Sequence, residues 1–204
     1  MQIYADPITV NCRKVLAGLD LMEVPYELVH VDYFKAEQKS DAYVTINPNA
    51  SLPAMKDGDF VLWESNAILR YLAARHGGAR FWPLDARARA EGDKWMDWQF
   101  SFADAQRHAF LHLIRKAEGD RDPAKIARSS TTTGQMMGIL DAALAQKPWL
   151  SGDDFGVFDV PMGVYAYTWF TLPIDRPDTP HVRAWYDRLR ARPGYAELVM
   201  IPLS

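Results

Sequence analysis

A chain of 204 residues with 49% apolar and 24% charged residues has the composition of a folded, soluble globule. At this length it spans one or two domains and buries roughly 70% of its unfolded surface, so its core needs no staples. Twenty-three Lys and Arg against 26 Asp and Glu leave a formal charge of -3, which argues against a dedicated nucleic-acid binder.

The single cysteine, Cys12, excludes an internal disulfide framework and leaves any metal site to histidines and carboxylates. Met1-Gln2-Ile3-Tyr4-Ala5-Asp6-Pro7 carries neither the basic nor the apolar segment of a secretory leader. No stretch reaches the ~18 apolar residues of a membrane span. A cytoplasmic protein without a membrane partner is expected.

Gln2-Ile3-Tyr4 reads as a short strand, and Asn11 to Leu21 places Val15, Leu16 and Leu19 at helical spacing. Tyr26 to Val31 alternates with period two, predicting a strand. Ser40 to Ile46 reads as a short helix closed by Asn47-Pro48-Asn49. Leu52 to Lys56 and Phe60 to Trp63 flank Asp57-Gly58-Asp59 as a hairpin. Glu64-Ser65 opens a helix that should end at Gly77-Gly78. The order βαβαββα predicts an α/β domain over residues 1–77, then a linker over 78–85. Beyond it everything reads as helix: Ala86 to Lys116, Asp122 to about Ala145 with interruptions at Gly134 and Gly138, Asp159 to Phe170, Pro180 to Leu189, and a short one after Pro193. An all-helical domain over 86–204 is therefore expected.

Two segments are not generic. Asn47-Pro48-Asn49-Ala50-Ser51-Leu52-Pro53-Ala54-Met55, followed by Leu62-Trp63-Glu64-Ser65-Asn66-Ala67-Ile68-Leu69-Arg70-Tyr71-Leu72, resembles the glutathione transferase superfamily. There the pattern is N-P-x-x-x-[VL]-P-x-L, a hairpin, then E-S-x-A-I-x-x-Y-L. Phe155-Gly156-Val157-Phe158-Asp159-Val160-Pro161 is similar to the family's F-[ST]-x-A-D-I-P helix start, with Gly156 where a Ser or Thr usually stands. The resemblance covers almost the whole chain and points to bacterial theta-like or nu-like members. It implies a thioredoxin-like first domain, an all-helical second domain, a homodimer, glutathione as co-substrate and no metal.

Each site residue has a bland reading beside the implied one. Leu52-Pro53 alone would be trans, since only about 5–6% of X-Pro bonds are cis. The resemblance implies a cis bond that turns the Leu52 backbone toward the cysteinyl part of glutathione. Glu64-Ser65 alone is a helix N-terminus. The resemblance implies that Ser65 and backbone N–H groups hold the γ-glutamyl carboxylate while Glu64 pairs with the ammonium. Lys39, with Lys35 and Gln38, stands where the family directs polar groups to the glycyl carboxylate; such a run also reads as a solvated face. Ser51 stands where many members have Lys or Arg. Asp104 matches acidic residues that reach the ammonium of the glutathione in the second subunit.

Glutathione must be presented as thiolate, and a free thiol has a pKa near 8.5, so the site must lower it. The family uses a Tyr, Ser or Cys in the first strand-to-helix loop. Here Thr9 aligns with the serine of theta-like members, and Thr9-x-Asn11 resembles the Thr-x-Asn of nu-like ones, in which disulfide-bond reductase activity is prominent. A hydroxyl and an amide at one helix N-terminus can each stabilise a thiolate. Thr9 also reads as a plain N-cap, Cys12 beside Arg13 as a nucleophile or a buried thiol, and Tyr4 as packing.

The electrophile pocket is expected between the domains, with Phe102, Phe110 and Trp169, and also Phe170, as aromatic walls; each reads equally as core. His108 and His112 are spaced for a metal but lack the HExxH glutamate. There is no P-loop, Rossmann fingerprint or CxxC, so any redox step must borrow glutathione's sulfur. The expected function is transfer of glutathione to an apolar electrophile. Glutathione-dependent disulfide reduction and a non-catalytic binding module are the alternatives.

Overall fold

Strand β1 (Gln2–Ala5) runs parallel to β2 (Glu27–His30) and antiparallel to β3 (Ala54–Asp57), which pairs with β4 (Phe60–Trp63). The order is β2-β1-β3-β4 in a computed structural model that describes residues 1–204. The central strands carry the apolar side chains that end up dry: Ile3, Ala5, Ala54 and Met55 are fully buried. The outer strands are edges, and the alternation of β2 does not translate into a buried face, since Leu28 stays exposed.

Helix α1 (Val10–Leu21) crosses from β1 to β2 and packs on α3 (Ser65–His76). Gly18 makes that approach possible, because a Cβ there would clash with Leu69 Cδ2. The short α2 (Asp41–Val44) is capped by the Ser40 hydroxyl, which accepts from the Tyr43 N–H at 3.3 Å. A four-stranded mixed sheet in this βαβαββα order is a thioredoxin-like domain. Helix α3 ends as expected, with Gly77 at its C-cap and Gly78 at a left-handed φ of 58°, but the expected linker opens with a short helix, α4 (Gly78–Phe81).

The rest is all helix: α5 (Ala86–Phe110) with a π turn over Leu111–Arg115, α6 (Pro123–Leu144), α7 (Val160–Thr171), α8 (Pro180–Arg190) and α9 (Tyr195–Val199). Asp85 and Asp122 cap α5 and α6 by accepting backbone N–H groups of their first turns. The interruptions expected in α6 do not occur. Gly134 instead gives room to Pro177 and Trp169, with a Cβ there 3.2 Å from Pro177 Cδ. No helix is long and apolar enough to cross a membrane.

The buried carboxylate of Asp159 organises the start of α7. It accepts N–H bonds from Leu150 (2.8 Å), Ser151 (3.2 Å) and Gly156 (3.2 Å), and from the Trp185 indole (2.9 Å). Burial pushes its carboxyl above the usual range, while the indole and backbone N–H bonds pull it back. The glycine at 156 has a steric cause: a Cβ there would lie 2.7 Å from the Ser151 hydroxyl.

Candidate functional site

The turn between α2 and β3 is built by one buried amide. Asn47 Nδ2 donates to the Ser51 carbonyl (2.7 Å), which also accepts from the Tyr43 hydroxyl (2.7 Å), and Asn47 Oδ1 accepts from the Asn49 N–H (3.0 Å). So held, the chain enters β3 through a cis Leu52-Pro53 bond, with Leu52 lining a cleft. At the start of α3, Glu64 takes φ 72°, a left-handed conformation that a glutamate adopts only under constraint. Its carboxylate makes no capping bond and stays exposed, while Ser65 is buried. The separate role of Glu64 as helix cap is therefore not taken up.

The loop from β1 to α1 is fastened from both sides. Asp6 accepts from the Ile8 N–H (3.1 Å) and the Tyr33 N–H (2.9 Å). Arg13, also buried, donates to the carbonyls of Pro7 (2.9 Å), Ile8 (3.0 Å), Val199 (3.3 Å) and Pro202 (3.4 Å). It thereby ties the loop to the last turn of the chain, and Leu203 and Ser204 join the cleft wall. The Thr9 hydroxyl makes no capping bond to α1 and donates instead to the Asp6 carbonyl at 3.1 Å. Cys12 is fully buried, and burial pushes its thiol up to about 11, so at neutral pH it is neither thiolate nor nucleophile. Tyr4 packs, edge-on to Tyr43.

These elements open onto one interdomain cleft of about 790 Å³. It brings together Thr9, Asn11, Lys39, Ser51, Leu52, Asp104 and Phe110. Pro53, Glu64 and Ser65 are not part of its wall; Pro53 directly follows the lining Leu52, and Glu64 directly follows Trp63, which pairs with Ala54 across the hairpin. Lys39 is exposed, whereas Lys35 is taken by Asp32 at 2.9 Å. Asp104 is already paired with Arg107 at 2.8 Å. A second hollow of about 190 Å³ between α1, α7 and the last two helices contains none of the expected site residues.

The aromatic wall is corrected. Phe102 and Trp169 are fully buried and do not line the cleft, because their helix faces meet other helices. Phe102 packs edge-on to Tyr165, and the Trp169 ring lies beside Gly134 and under Arg176. Phe170 stacks on Tyr186 at 4.5 Å. The residues that do line this half include Gln106, Arg107, Phe110 and Arg115 from α5 and its π turn, with Tyr165 and Thr168 from α7. Residues 103, 106, 107 and 110 form one helical stripe, a spacing that could have been read from the sequence. Arg115 lies 5.4 Å from the Phe34 ring and 5.6 Å from that of Phe110, bridging the domains at the cleft mouth. The histidine pair makes a structural bond instead: His112 Nδ1 accepts from the Asp122 N–H at 2.9 Å.

Residues 2–74 match the family "Glutathione S-transferase, N-terminal domain". The chain is 37% identical over 199 residues to "Glutathione S-transferase GstB" of Escherichia coli (strain K12), covering 96% of both chains. It is 30% identical over 210 residues to "Disulfide-bond oxidoreductase YfcG" of the same strain, covering 98% of this chain and 94% of that one. It superimposes with a TM-score of 0.94, at 43% identity and over 100% and 98% of the two chains, on the theta class glutathione S-transferase of Xanthomonas axonopodis pv. citri, solved with glutathione bound. With this fold, this cleft and these relatives over nearly its full length, the chain belongs to the glutathione S-transferase family.

Proposed function

We propose that the chain binds glutathione along its cis-proline turn and transfers it, as thiolate, to a small electrophile. The observation that carries this reading is the meeting of Leu52, Thr9 and Asn11 in one cleft, with the unencumbered Glu64 and the buried Ser65 opening the helix that follows the β3–β4 hairpin. In the proposed pose the Leu52 backbone pairs with the cysteinyl residue as a short added strand. Ser65 and the N–H groups of α3 hold the γ-glutamyl carboxylate, Glu64 its ammonium, and Lys39 the glycyl carboxylate. Thr9 and Asn11, at the N-terminus of α1, donate to the sulfur and favour its anion. The thiol proton leaves to solvent. The thiolate then forms a C–S bond as the leaving group departs with its electron pair. Gln106, Arg107, Arg115 and Tyr165 favour an electrophile whose apolar body rests on Phe110 and which carries an acceptor or anionic group, rather than a wholly apolar one.

A second reading keeps the same thiolate and gives it a disulfide: a mixed disulfide forms and another glutathione resolves it. The Thr9-x-Asn11 pair and the likeness to YfcG favour it. The experiment is calorimetry with glutathione, followed by parallel assays on an aryl halide and a small disulfide. Binding with aryl-halide turnover alone supports conjugation, and disulfide turnover alone supports the second reading. A family fold that binds no glutathione at millimolar concentration is a non-catalytic module, and the proposal fails.

A cytoplasmic homodimer completes the proposal. The edge strand β4 leaves Phe60 43%, Val61 38% and Trp63 38% exposed, apolar surface along an unpaired sheet edge that a lone soluble domain ordinarily avoids. Light scattering is expected to return twice the 23.2 kDa chain mass, and Phe60→Lys with Trp63→Lys to return one chain mass. In that dimer Asp104 is the candidate for reaching the glutathione of the second subunit.

A further inference from the structure

One charge beside the cleft has no part in this scheme. Lys14, on α1, is fully buried, and its Nζ donates to Gln99 Oε1 on α5 (2.7 Å) and to Asn66 Oδ1 on α3 (3.0 Å). Both acceptors are neutral amides and are buried themselves. Asn66 Nδ2 in turn donates to the Met96 carbonyl (2.7 Å) and reaches Gln99 Oε1 (3.3 Å), so the cluster joins α1, α3 and α5. The rings of Phe100 and Tyr165 lie 5.5 and 6.0 Å from Nζ. Of the nine ion pairs in the chain none involves Lys14.

A buried cation hydrogen-bonded only to neutral dipoles is costly, because amide oxygens replace its hydration without supplying a directly bonded counter-charge. Burial accordingly pulls the Lys14 ammonium down to about 7. The charged and titratable groups around it are few. Glu64, at the start of α3, favours the ammonium; Arg70, farther along α3, opposes it; Cys12 shares its helix and remains a neutral thiol. From α7 Tyr165 contributes a neutral hydroxyl, pushed up to about 12, and from α5 only Gln99 and Phe100 are presented.

The missing anion has a natural place. Gln99 lines the cleft, so its amide alone stands between Nζ and the cleft, and Asn66, the other amide on Nζ, directly follows Ser65 in the chain. We propose that Lys14 is the buried counter-charge of the γ-glutamyl carboxylate, and that docking of this anion draws a proton from solvent onto Nζ. The inference rests on the glutathione reading above. No bond of the ligand changes; the buffer gives up the proton and the lysine amine becomes an ammonium. Lys14 is thus a positioning residue, acting through Asn66 and Gln99.

The sign follows from the free-state titration. Below pH 7 the lysine is already charged and the anion binds at full affinity. As pH rises through that value each binding event must first protonate the amine, so affinity falls until the titration of the bound state is passed. Glutathione itself would confuse the measurement, since its thiol releases a proton on activation. S-methylglutathione keeps both carboxylates and the ammonium and has no thiol to ionise. Calorimetry with this ligand near about pH 7.5, in two buffers of different ionisation enthalpy, is expected to show uptake of about half a proton per site, vanishing toward about pH 6. Lys14→Met substitutes an apolar chain of similar length, a replacement that buried ions often tolerate. It is expected to take up no proton and to bind about tenfold more weakly. A merely structural lysine would leave proton uptake untouched. If the native protein binds S-methylglutathione and takes up no proton between about pH 6.5 and 8.5, the inference is overturned and the glutathione reading stands; this arm needs no variant. If the ligand does not bind at all, both fall.

Discussion

Asp159→Ala is expected to cost about 4 kcal/mol of folding stability, enough to lower the melting temperature by roughly 10 °C for a chain of this size. The carboxylate is fully buried and accepts from three backbone N–H groups and one indole N–H. An alanine leaves those four donors facing apolar neighbours, and an unsatisfied buried donor costs about 1–3 kcal/mol before any water enters. The total is set below four such penalties because neighbouring losses do not add. Asp159→Asn keeps one acceptor oxygen but aims an NH2 group at the remaining donors, so an intermediate loss is expected. Thermal unfolding followed by circular dichroism measures all three proteins, with Asp187→Ala, an exposed partner of Arg190, as a substitution that should not shift the melt. A melt of Asp159→Ala close to the native one would mean that the start of α7 is held by packing alone.

The double variant Thr9→Ala with Asn11→Ala is expected to lose about 10²-fold in kcat/KM, and each single variant about tenfold. The two donors are not equivalent. The Thr9 hydroxyl has one proton, which the Asp6 carbonyl takes at 3.1 Å, so it must turn away from that carbonyl to serve a sulfur. The Asn11 amide has two N–H donors, lines the cleft and makes no side-chain hydrogen bond within the chain that would have to break. The larger single effect is therefore expected at Asn11. Thr9→Ser should retain the activity that Thr9→Ala loses, since only the hydroxyl matters. The direct measurement is the thiolate absorbance of the glutathione complex against pH. The titration should move upward in each alanine variant, toward the value near 8.5 of a free thiol. An unmoved titration in the double variant would leave the N-terminus of α1 as the sole activator.

Much of the candidate site is legible in one dimension because its chemistry is main-chain and local. Asn47, Leu52-Pro53 and Glu64-Ser65 act through a turn, a peptide bond and a helix end, and each of these is written in a few consecutive residues. The electrophile half is not written this way. Phe102 and Trp169 have the size and spacing of pocket residues, but which face of α5 and α7 meets the cleft depends on how those helices cross. The stripe of Gln106, Arg107 and Phe110 faces it instead, and Gln106 is 2% exposed with its Nε2 unpartnered in the folded chain. The seven tryptophans divide in the same manner, with Trp169 and Trp185 fully buried and Trp63 exposed on the edge strand.

By itself the sequence determined the two-part architecture and the order of its strands and helices, because hydrophobic period and turn chemistry act over a few neighbours. What only the tertiary structure decided is burial and its consequences. Five consecutive residues of α1, from Cys12 to Leu16, are buried because the helix is packed between α3 of its own domain and α7 and α9 of the helical domain. That enclosure turns Arg13 into the clasp of the loop between β1 and α1, holds Cys12 as an inert thiol and strips Lys14 of its water. A charge's role is set by the dielectric and the partners around it, and three elements distant in the chain supply both.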